Sequence, residues 1–193
     1  MMMEKYNRGK TVVYNTYQMY CHATLPYLKE AHQKASQKGY ILGAKLVRGA
    51  YMEKERERAL EKGYPSPIQP DKAATDRDFD AGTLYCLQNL DTLALFIGTH
   101  NEHSSFLAAK YMEEHNIPKD SPKVYFSQLF GMSDNISFNL ANAGYKVAKY
   151  MPYGPVKDVI PYLMRRAQEN TSVAGQTGRE LLLINKELKR RKG

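Results

Sequence analysis

The sequence predicts an α/β protein whose strands form a parallel sheet, in the manner of a (β/α)8 TIM barrel. Three observations predict this fold class. Apolar strand-like segments alternate with segments of helical spacing five times along the chain. The strand segments are too apolar for a sheet with one face in water, which favours strands covered by helices. Polar side chains collect where the strand segments end, as they do at the binding face of a barrel.

The strand segments are recognised by their β-branched, aromatic and other apolar residues, and they cover residues 12–19, 41–51, 94–100, 124–132 and 147–154. The segments of helical spacing cover residues 25–39, 52–63, 74–90, 102–116, 133–144, 156–173 and 179–192. Gly39, Gly63 and Gly144 end three of these helices, and Ser133 or Asp134 suits the start of another. Residues 65–73 contain three prolines and predict an irregular loop at the rim of the sheet.

The polar residues at the strand ends indicate one binding face. Gln18 ends the first strand segment, Lys45, Arg48 and Tyr51 lie on the second, and residues 99–101 follow the third. Ser127 and Gln128 lie on the fourth strand, and Tyr150 lies on the fifth. A site built from consecutive strand ends is typical of a barrel, whereas a doubly wound sheet uses the loops beside its switch point. The chain has no GxGxxG or P-loop motif that would favour the second arrangement.

Composition excludes several classes of protein. A chain of 193 residues forms one domain or part of one, and it has no apolar run near the roughly 18 residues of a membrane span. Two isolated cysteines and the absence of a signal peptide indicate a cytoplasmic protein. The net charge is +8, but much of the excess lies at the two ends, and no nucleic-acid-binding motif is present. We expect no nucleic-acid partner; anionic lipid headgroups remain a candidate partner of the basic C-terminal tail.

Two adjacent arginines raise the question of what they bind. Tyr162, Arg165, Arg166 and Glu169 share one face of a predicted helix, because they recur at helical spacing. Two guanidinium groups that point the same way can clamp a carboxylate or a phosphate. The alternative is an ordinary solvated charged face.

Two lysines lie on apolar strands, where lysine is uncommon. Lys45 and Lys149 could form a Schiff base as in a barrel aldolase, face a bound cofactor, or extend to solvent at a strand end. His100 and His103 lack a third ligand nearby, so we expect no metal site.

Five stretches of this sequence together closely resemble proline dehydrogenases. They are YNTYQMY, AKLVRGAYMEKERERA, THNEHS, YFSQLFGMSDNISF and KYMPYGPVKDVIPYLMRRAQENTS, and the likeness extends from about Val12 to Ser172. The resemblance implies FAD-dependent oxidation of L-proline to pyrroline-5-carboxylate, with electrons passed to a quinone. It also implies a barrel of which this chain holds the last five strand–helix units.

The resemblance implies a role for individual residues of the substrate site. Arg165 and Arg166 correspond to the arginines that bind the proline carboxylate, and Glu169 orients one of them. Tyr150 and Tyr162 pack on the proline ring, and the apolar pocket is completed by Leu129, Ala50 and Tyr51. A tyrosine at position 150 resembles the proline enzymes, whereas hydroxyproline dehydrogenases carry a smaller residue there.

The flavin site implied by the resemblance lies at the strand ends. Its residues are Gln18, Lys45, Val47, Gly49, Thr99, His100, Asn101 and Ser127. Lys45 holds the place where bacterial bifunctional members have an arginine near flavin N5. A cation there favours the electron-rich reduced flavin.

The domain organisation follows from the same comparison of motifs. We expect a lead-in at residues 1–11, the C-terminal part of the barrel at residues 12–175, and a basic helix or tail at residues 176–193. A barrel needs eight strands, so the five present here imply a fragment of a longer protein, the product of a truncated reading frame or one half of a split enzyme, and an incomplete site in the chain alone. Self-association or a complementing N-terminal chain would cover the exposed strand edges. Peripheral contact with the inner face of the membrane is a further expectation. A Schiff-base aldolase and a non-catalytic amino-acid or anion-binding module remain the alternative functions.

Overall fold

The fold was analysed in a computed structural model that describes residues 2–172 and 176–192. It contains two compact units, Met1–Tyr150 and Met151–Gly193. The first unit contains five strands, β1 (Asn15–Gln18), β2 (Leu42–Val47), β3 (Leu93–Gly98), β4 (Val124–Leu129) and β5 (Val147–Tyr150). Its helices are α1 (Met2–Tyr6), α2 (Thr24–Gln37), α3 (Met52–Lys62), α4 (Lys72–Gln88), α5 (Glu102–Glu114) and α6 (Asp134–Asn142). The second unit contains α7 (Val156–Ser172) and α8 (Gln176–Lys192).

The five strands form one parallel sheet in the order β1-β2-β3-β4-β5. Each strand pairs with the next strand along the chain, and helices connect them. The predicted parallel α/β architecture is therefore confirmed. Within the described residues, β1 and β5 are the two edge strands of this sheet.

One face of the sheet is packed under the helices. Register partners such as Leu46 and Ile97, or Leu95 and Val124, point to this face and are fully or almost fully buried. They form the core with Phe79 of α4, Met112 of α5 and Leu28 of α2. This helix-covered face accounts for the apolar character of the strands.

The opposite face of the sheet, here called the open face, is only partly buried in the described residues. Lys45, Phe96 and Tyr125 are neighbours on it by register. The rings of Phe96 and Tyr125 stack with centroids 4.9 Å apart, and Tyr14 meets Phe96 edge-on at 5.5 Å. Stacked aromatic side chains stabilise neighbouring strands.

The strands end earlier than the sequence pattern predicted. β2 ends at Val47, so Arg48 lies beyond it and Tyr51 occupies the N-cap of α3. Gly49 has a φ of +130°, a backbone conformation that L side chains rarely adopt and that turns the chain away from the sheet. The placement of Arg48 and Tyr51 on a strand was therefore wrong.

The lead-in is anchored by one buried polar residue. The side chain of Asn7 is 0% exposed. It donates to the carbonyl oxygens of Val13 and Ile41 at 2.7 and 3.1 Å, and it accepts from the amides of Val12 and Val13 at 3.0 and 2.9 Å. Three of these bonds hold the segment before β1, and the fourth ties it to Ile41, directly before β2.

The ends of the helices follow the predicted chemistry with one exception. Gly63 ends α3 in the left-handed conformation, and the side chains of Asp71 and Asn101 cap α4 and α5. Ser133 occupies the N-cap of α6, as predicted, but it makes no capping hydrogen bond. Its hydroxyl group bonds to His100 instead, which explains why the cap is absent. Of the helices that the structure describes, none is both long and apolar enough to cross a membrane.

Candidate functional site

At the carboxyl ends of the strands, four positions lie in one row across the open face, namely Gln18, Val47, Gly98 and Ser127. Gln18 pairs with Val47, and Gly98 pairs with Ser127. Because Leu46 pairs with Ile97, the next residues, Val47 and Gly98, lie at the same level. Three of the residues expected to contact the cofactor, Gln18, Val47 and Ser127, are thus brought together.

Lys45 lies one row below on the same face. Its aliphatic chain passes next to Gly98, where a Cβ atom would lie 3.5 Å from Lys45 Cε. Its ammonium group lies 5.3 Å from the centre of the Tyr150 ring. Burial lowers the pKa of Lys45, and it makes no ion pair with a carboxylate of the described residues. A half-buried cation over an aromatic ring is well suited to an electron-rich ligand.

His100 is held in its neutral form beside this row. Burial, with a smaller contribution from the charge of Lys149, lowers the pKa of His100 to about 4. Its Nδ1 lies 2.9 Å from Ser133 Oγ. A neutral imidazole offers one donor and one acceptor, and the Ser133 hydroxyl group engages Nδ1.

The expected apolar pocket is only partly assembled in the first unit. Leu129 and Tyr150 are register partners on β4 and β5, so their side chains share the open face. Leu129 is buried, whereas Tyr150 is 47% exposed. Ala50 and Tyr51 lie in the turn between β2 and α3, which begins at Gly49.

The sequence predicted one binding face for all the polar residues at the strand ends, but the structure places three of them in a second set on the helix-covered face. Arg48, Thr99 and Gln128 form this set, here called the polar layer. Arg48 donates to Asp76 of α4, to Thr99 and to Ser104 of α5. Gln128 is 2% exposed; it donates to the carbonyl oxygen of Thr99 and accepts from Ser137 of α6.

The signal for the polar layer was present in the sequence. Gln128 falls at an apolar strand position, and Asp76 and Asp80 lie four residues apart on α4, so they share a helix face. Which arginine they face could not be predicted. Thr99, expected to contact the cofactor, is 5% exposed and has its side chain in this layer.

The second unit contains the arginine pair and is described by itself. Tyr162, Arg165 and Arg166 all lie on α7. The Arg166 guanidinium carbon lies 5.2 Å from the centre of the Tyr162 ring, as their spacing of four residues predicts. The side chain of Glu169 lies outside the described residues, so its expected pairing with an arginine stays a prediction.

Lys149, the second candidate for a Schiff base, is engaged elsewhere. Its ammonium group donates to the carbonyl oxygen of Met132 and to Asp134, each at 2.7 Å. An ammonium group held by a carboxylate and a carbonyl oxygen is a poor nucleophile. Among the described residues, no three His, Cys, Asp or Glu side chains are grouped as metal ligands would be.

Comparison with known proteins gives the same family over almost the whole chain. A family model described as proline dehydrogenase matches residues 1–179. Human "Proline dehydrogenase 1, mitochondrial" is 44% identical over 98% of this chain and 32% of its own length. The protein of the same name from Drosophila melanogaster is 40% identical over 98% of this chain and 29% of its own length. Hydroxyproline dehydrogenase from Xenopus laevis is 43% identical over 98% of this chain and 42% of its own length.

Solved structures show the same relationship at the level of the fold. Proline utilization A from Bdellovibrio bacteriovorus, inactivated by N-propargylglycine, matches with a TM-score of 0.77 and 30% identity over 82% of this chain and 16% of its own. A structure of proline utilization A with proline bound in remote sites matches with a TM-score of 0.74 and 26% identity over 83% of this chain and 16% of its own. This chain thus spans about a third of the length of the mitochondrial relatives named above, and less of the solved ones.

Proposed function

Because this chain belongs to the proline dehydrogenase family, we propose that it provides part of an FAD-dependent site that oxidises L-proline to pyrroline-5-carboxylate. The observation that carries the proposal is the position of Lys45. Its half-buried ammonium group lies 5.3 Å from the centre of the Tyr150 ring, on the face that also holds Gln18, Val47 and Ser127.

The residues of the open face fit a flavin. Gly98 leaves the middle of the row without a side chain, and a Cβ atom there would lie 2.9 Å from Val47 Cγ1 and from the carbonyl oxygen of Leu46. Glycine at this position thus lets Val47 and Lys45 pack across β3 into the row. Gln18 and Ser127 offer hydrogen bonds in the same row, and His100 and Asn101 lie in the adjoining turn. Gly49 completes the proposed set of contacts. Thr99, expected as a further contact, has its side chain on the helix-covered face and would serve the site by holding the segment of His100 and Asn101.

The substrate would be bound by its two chemically different ends. Arg165 and Arg166 supply donors for the proline carboxylate, with Glu169 as the proposed partner of one of them. In the first unit, Tyr150, Leu129, Ala50 and Tyr51 would offer an apolar surface to the proline ring. In the second unit, Tyr162 would offer one beside the arginines. A bound amino acid of this kind requires charge at one end and exclusion of water at the other.

The chemistry of the reaction assigns a separate task to Lys45. Removal of a hydride from the ring carbon next to nitrogen, and of a proton from the nitrogen, gives the C=N bond of the product. A bound flavin supplies the hydride acceptor. The Lys45 cation stabilises negative charge that develops beside it, and burial strengthens this interaction.

Proline is proposed as the preferred substrate over hydroxyproline. Overall identity does not separate the two, since relatives named for either substrate reach 43% to 44%. Tyr150 supports the choice, because its ring already packs against the Lys45 ammonium group and leaves less room for a hydroxyl substituent. Turnover of the two substrates, compared in the wild type and in Tyr150→Ser, tests this choice.

We also propose that the five strands form part of an eight-stranded barrel. The parallel order β1-β2-β3-β4-β5 and the neighbouring solved structures support this arrangement. The edges of β1 and β5 would then pair with the remaining strands of the barrel, whether these belong to the same polypeptide, to another chain or to a second copy of this one. Sedimentation of the purified chain would distinguish a monomer from an assembly.

The electron acceptor and the location remain proposals. A membrane quinone would take the electrons, and basic residues of α8 would contact anionic lipid at the inner face of a membrane from the cytoplasmic side. The relatives named mitochondrial offer the alternative of a mitochondrial location for this chain. Binding to vesicles with and without anionic lipid tests the contact.

The decisive experiment is a visible spectrum of the purified chain with added FAD, recorded before and after anaerobic addition of proline. A flavin band that proline bleaches supports the proposed function. Bound flavin without bleaching would favour a non-catalytic binding module. Absence of bound flavin, together with borohydride trapping of a carbonyl substrate on Lys45, would replace the proposal with a Schiff-base aldolase.

A further inference from the structure

Arg48 connects three elements of the first unit through its three guanidinium nitrogens. Nε donates to Asp76 Oδ1 at 2.6 Å, Nη1 donates to Thr99 Oγ1 at 2.7 Å, and Nη2 donates to Ser104 Oγ at 2.9 Å. The guanidinium carbon lies 4.3 Å from the centre of the Phe79 ring. The side chain is 22% exposed, and each nitrogen already serves a protein acceptor. Such an arginine is better suited to holding structure than to binding a ligand.

The charge of Arg48 is balanced within the same network. Burial opposes ionisation of Asp76, but hydrogen bonds from Lys72 and Arg48 lower its pKa below the ordinary value. Ser104 in turn donates a hydrogen bond from its Oγ to Asp80 Oδ1 at 2.6 Å. Arg48 thus donates to Ser104, and Ser104 donates to Asp80, so the hydrogen bonds run in one donor-to-acceptor order.

Thr99 is the residue that this network immobilises. Its hydroxyl oxygen accepts from Arg48 and from the Asn101 amide at 3.1 Å, which uses both lone pairs. Its carbonyl oxygen accepts from Gln128 at 3.1 Å. The Asn101 side chain in turn accepts from the Ser104 amide at 3.1 Å and caps α5. Residues on both sides of His100 are thereby fixed.

We propose that Arg48 is a positioning residue, which fixes the turn of Thr99, His100 and Asn101 and so keeps His100 in its contact with Ser133. The proposal rests on the proposed function in one respect, namely that His100 and Asn101 contact the cofactor. The link from Arg48 to His100 is a property of this chain that can be measured without any cofactor.

The charged groups of the elements around His100 are separate from Arg48. Lys149 pairs with Asp134, and Glu102 accepts from Asn135. Arg48 pairs with Asp76 on α4. A change in His100 on substitution of Arg48 therefore reports the loss of the turn rather than the loss of a neighbouring charge.

The test is ring-nitrogen NMR of the histidines in the full chain, with His100→Gln used to assign the resonance. In the wild type, His100 should stay neutral well below pH 6, consistent with its pKa of about 4. In Arg48→Met, the pKa should rise by about one unit or more, because the released turn admits water. His32, which is buried against Tyr85 and Thr92, should keep its wild-type resonance and so verify that the fold is intact.

Arg56→Met is the matched control. Arg56 also ties two segments of the first unit, by donating to the carbonyl oxygens of Gln69 and Pro70 at 3.0 and 3.4 Å. This substitution should lower Tm without moving the pKa of His100. If Arg48→Met does not fold, Thr99→Val tests the same connection, since it removes the bond between residues 48 and 99 with little loss of packing. Arg48→Lys is the second variant, because one ammonium group cannot reproduce the three-way fork of the guanidinium group.

A folded Arg48 or Thr99 variant with a wild-type His100 pKa would overturn the proposal. The same samples, titrated with FAD, separate this question from the proposed function. Failure of the wild type to bind FAD would count against the function and would leave the His100 result unchanged.

Discussion

The ammonium group of Lys45 lies 5.3 Å from the centre of the Tyr150 ring, and the two residues belong to strands β2 and β5. Two strands, β3 and β4, separate them in the sheet. On the way, the lysine side chain passes next to Gly98 of β3. Lys45 is proposed to contact the flavin and Tyr150 to contact the substrate, so their interaction connects the two proposed sites within the first unit.

Substitution of Lys45 should separate the effect of its charge from that of its length. Lys45→Met should reduce the rate of flavin reduction by proline about tenfold or more, because it removes the cation from a half-buried position. Lys45→Arg should retain most of the rate. Stopped-flow absorbance of the flavin measures both, and equal rates in the Met variant and the wild type would rule out a role for the charge.

Substitution of either arginine on α7 should weaken substrate binding. Arg165→Ala or Arg166→Ala should raise the Kd for proline by about ten- to a hundredfold, since each removes charge-assisted hydrogen bonds to a carboxylate. Arg190→Ala is the control, because Arg190 is exposed and pairs with Glu187 on α8. Titration calorimetry measures the three affinities. A loss of equal size in the control would show that total charge, and not the pair, attracts the substrate.

Gly49 should not tolerate a side chain. A Cβ atom there would overlap the Tyr20 ring, and the φ of +130° is unfavourable for any L residue. We expect Gly49→Ala to lower the free energy of unfolding by roughly 2–4 kcal/mol. Gly63→Ala, with positive φ but nothing within 4 Å, should cost only about 1 kcal/mol. Urea denaturation compares them, and similar losses would mean that overlap with Tyr20 is unimportant.

Asn7 should be a strong contributor to stability although it lies in the lead-in. Asn7→Ala leaves two backbone amides and two carbonyl oxygens without their partner. Buried groups left unsatisfied should lower the free energy of unfolding by roughly 2–4 kcal/mol. Asn142→Ala, at an exposed position of α6, should change it by about 0.5 kcal/mol or less. A Tm for Asn7→Ala within error of the wild type would contradict the anchoring role.

His100 should make stability depend on pH below its ordinary pKa. Its pKa is about 4 in the folded chain and 6.5 as the reference value, so the unfolded chain binds a proton first as the pH falls. Stability is then fully present above about pH 6.5 and declines toward pH 4, by at most about 1.4 kcal/mol per pH unit. His100→Gln should show a smaller decline between pH 6.5 and 5 in urea denaturation. Parallel curves for the two proteins would assign the pH dependence to other groups.

The sequence was sufficient for the features that depend on neighbours along the chain. Alternating apolar segments predicted the five parallel strands and their helices, because periodicity reflects burial directly. Gly63 ended its helix as expected, since a left-handed C-cap is a local requirement. The spacing of Tyr162 and Arg166 predicted their contact on α7 for the same reason.

The tertiary structure decided which face of the sheet each polar side chain occupies and what it binds there. Lys45 and Arg48 are three residues apart, so the alternation of extended backbone puts them on opposite faces. Only the tertiary structure shows that Arg48 meets Asp76, Thr99 and Ser104 on one face and that Lys45 meets the Tyr150 ring on the other. Serine is a common helix N-cap, but the Ser133 hydroxyl group bonds to His100, which lies 33 residues away in sequence. Hydrogen bonds between distant residues depend on how strands and helices pack, and no local pattern specifies that packing.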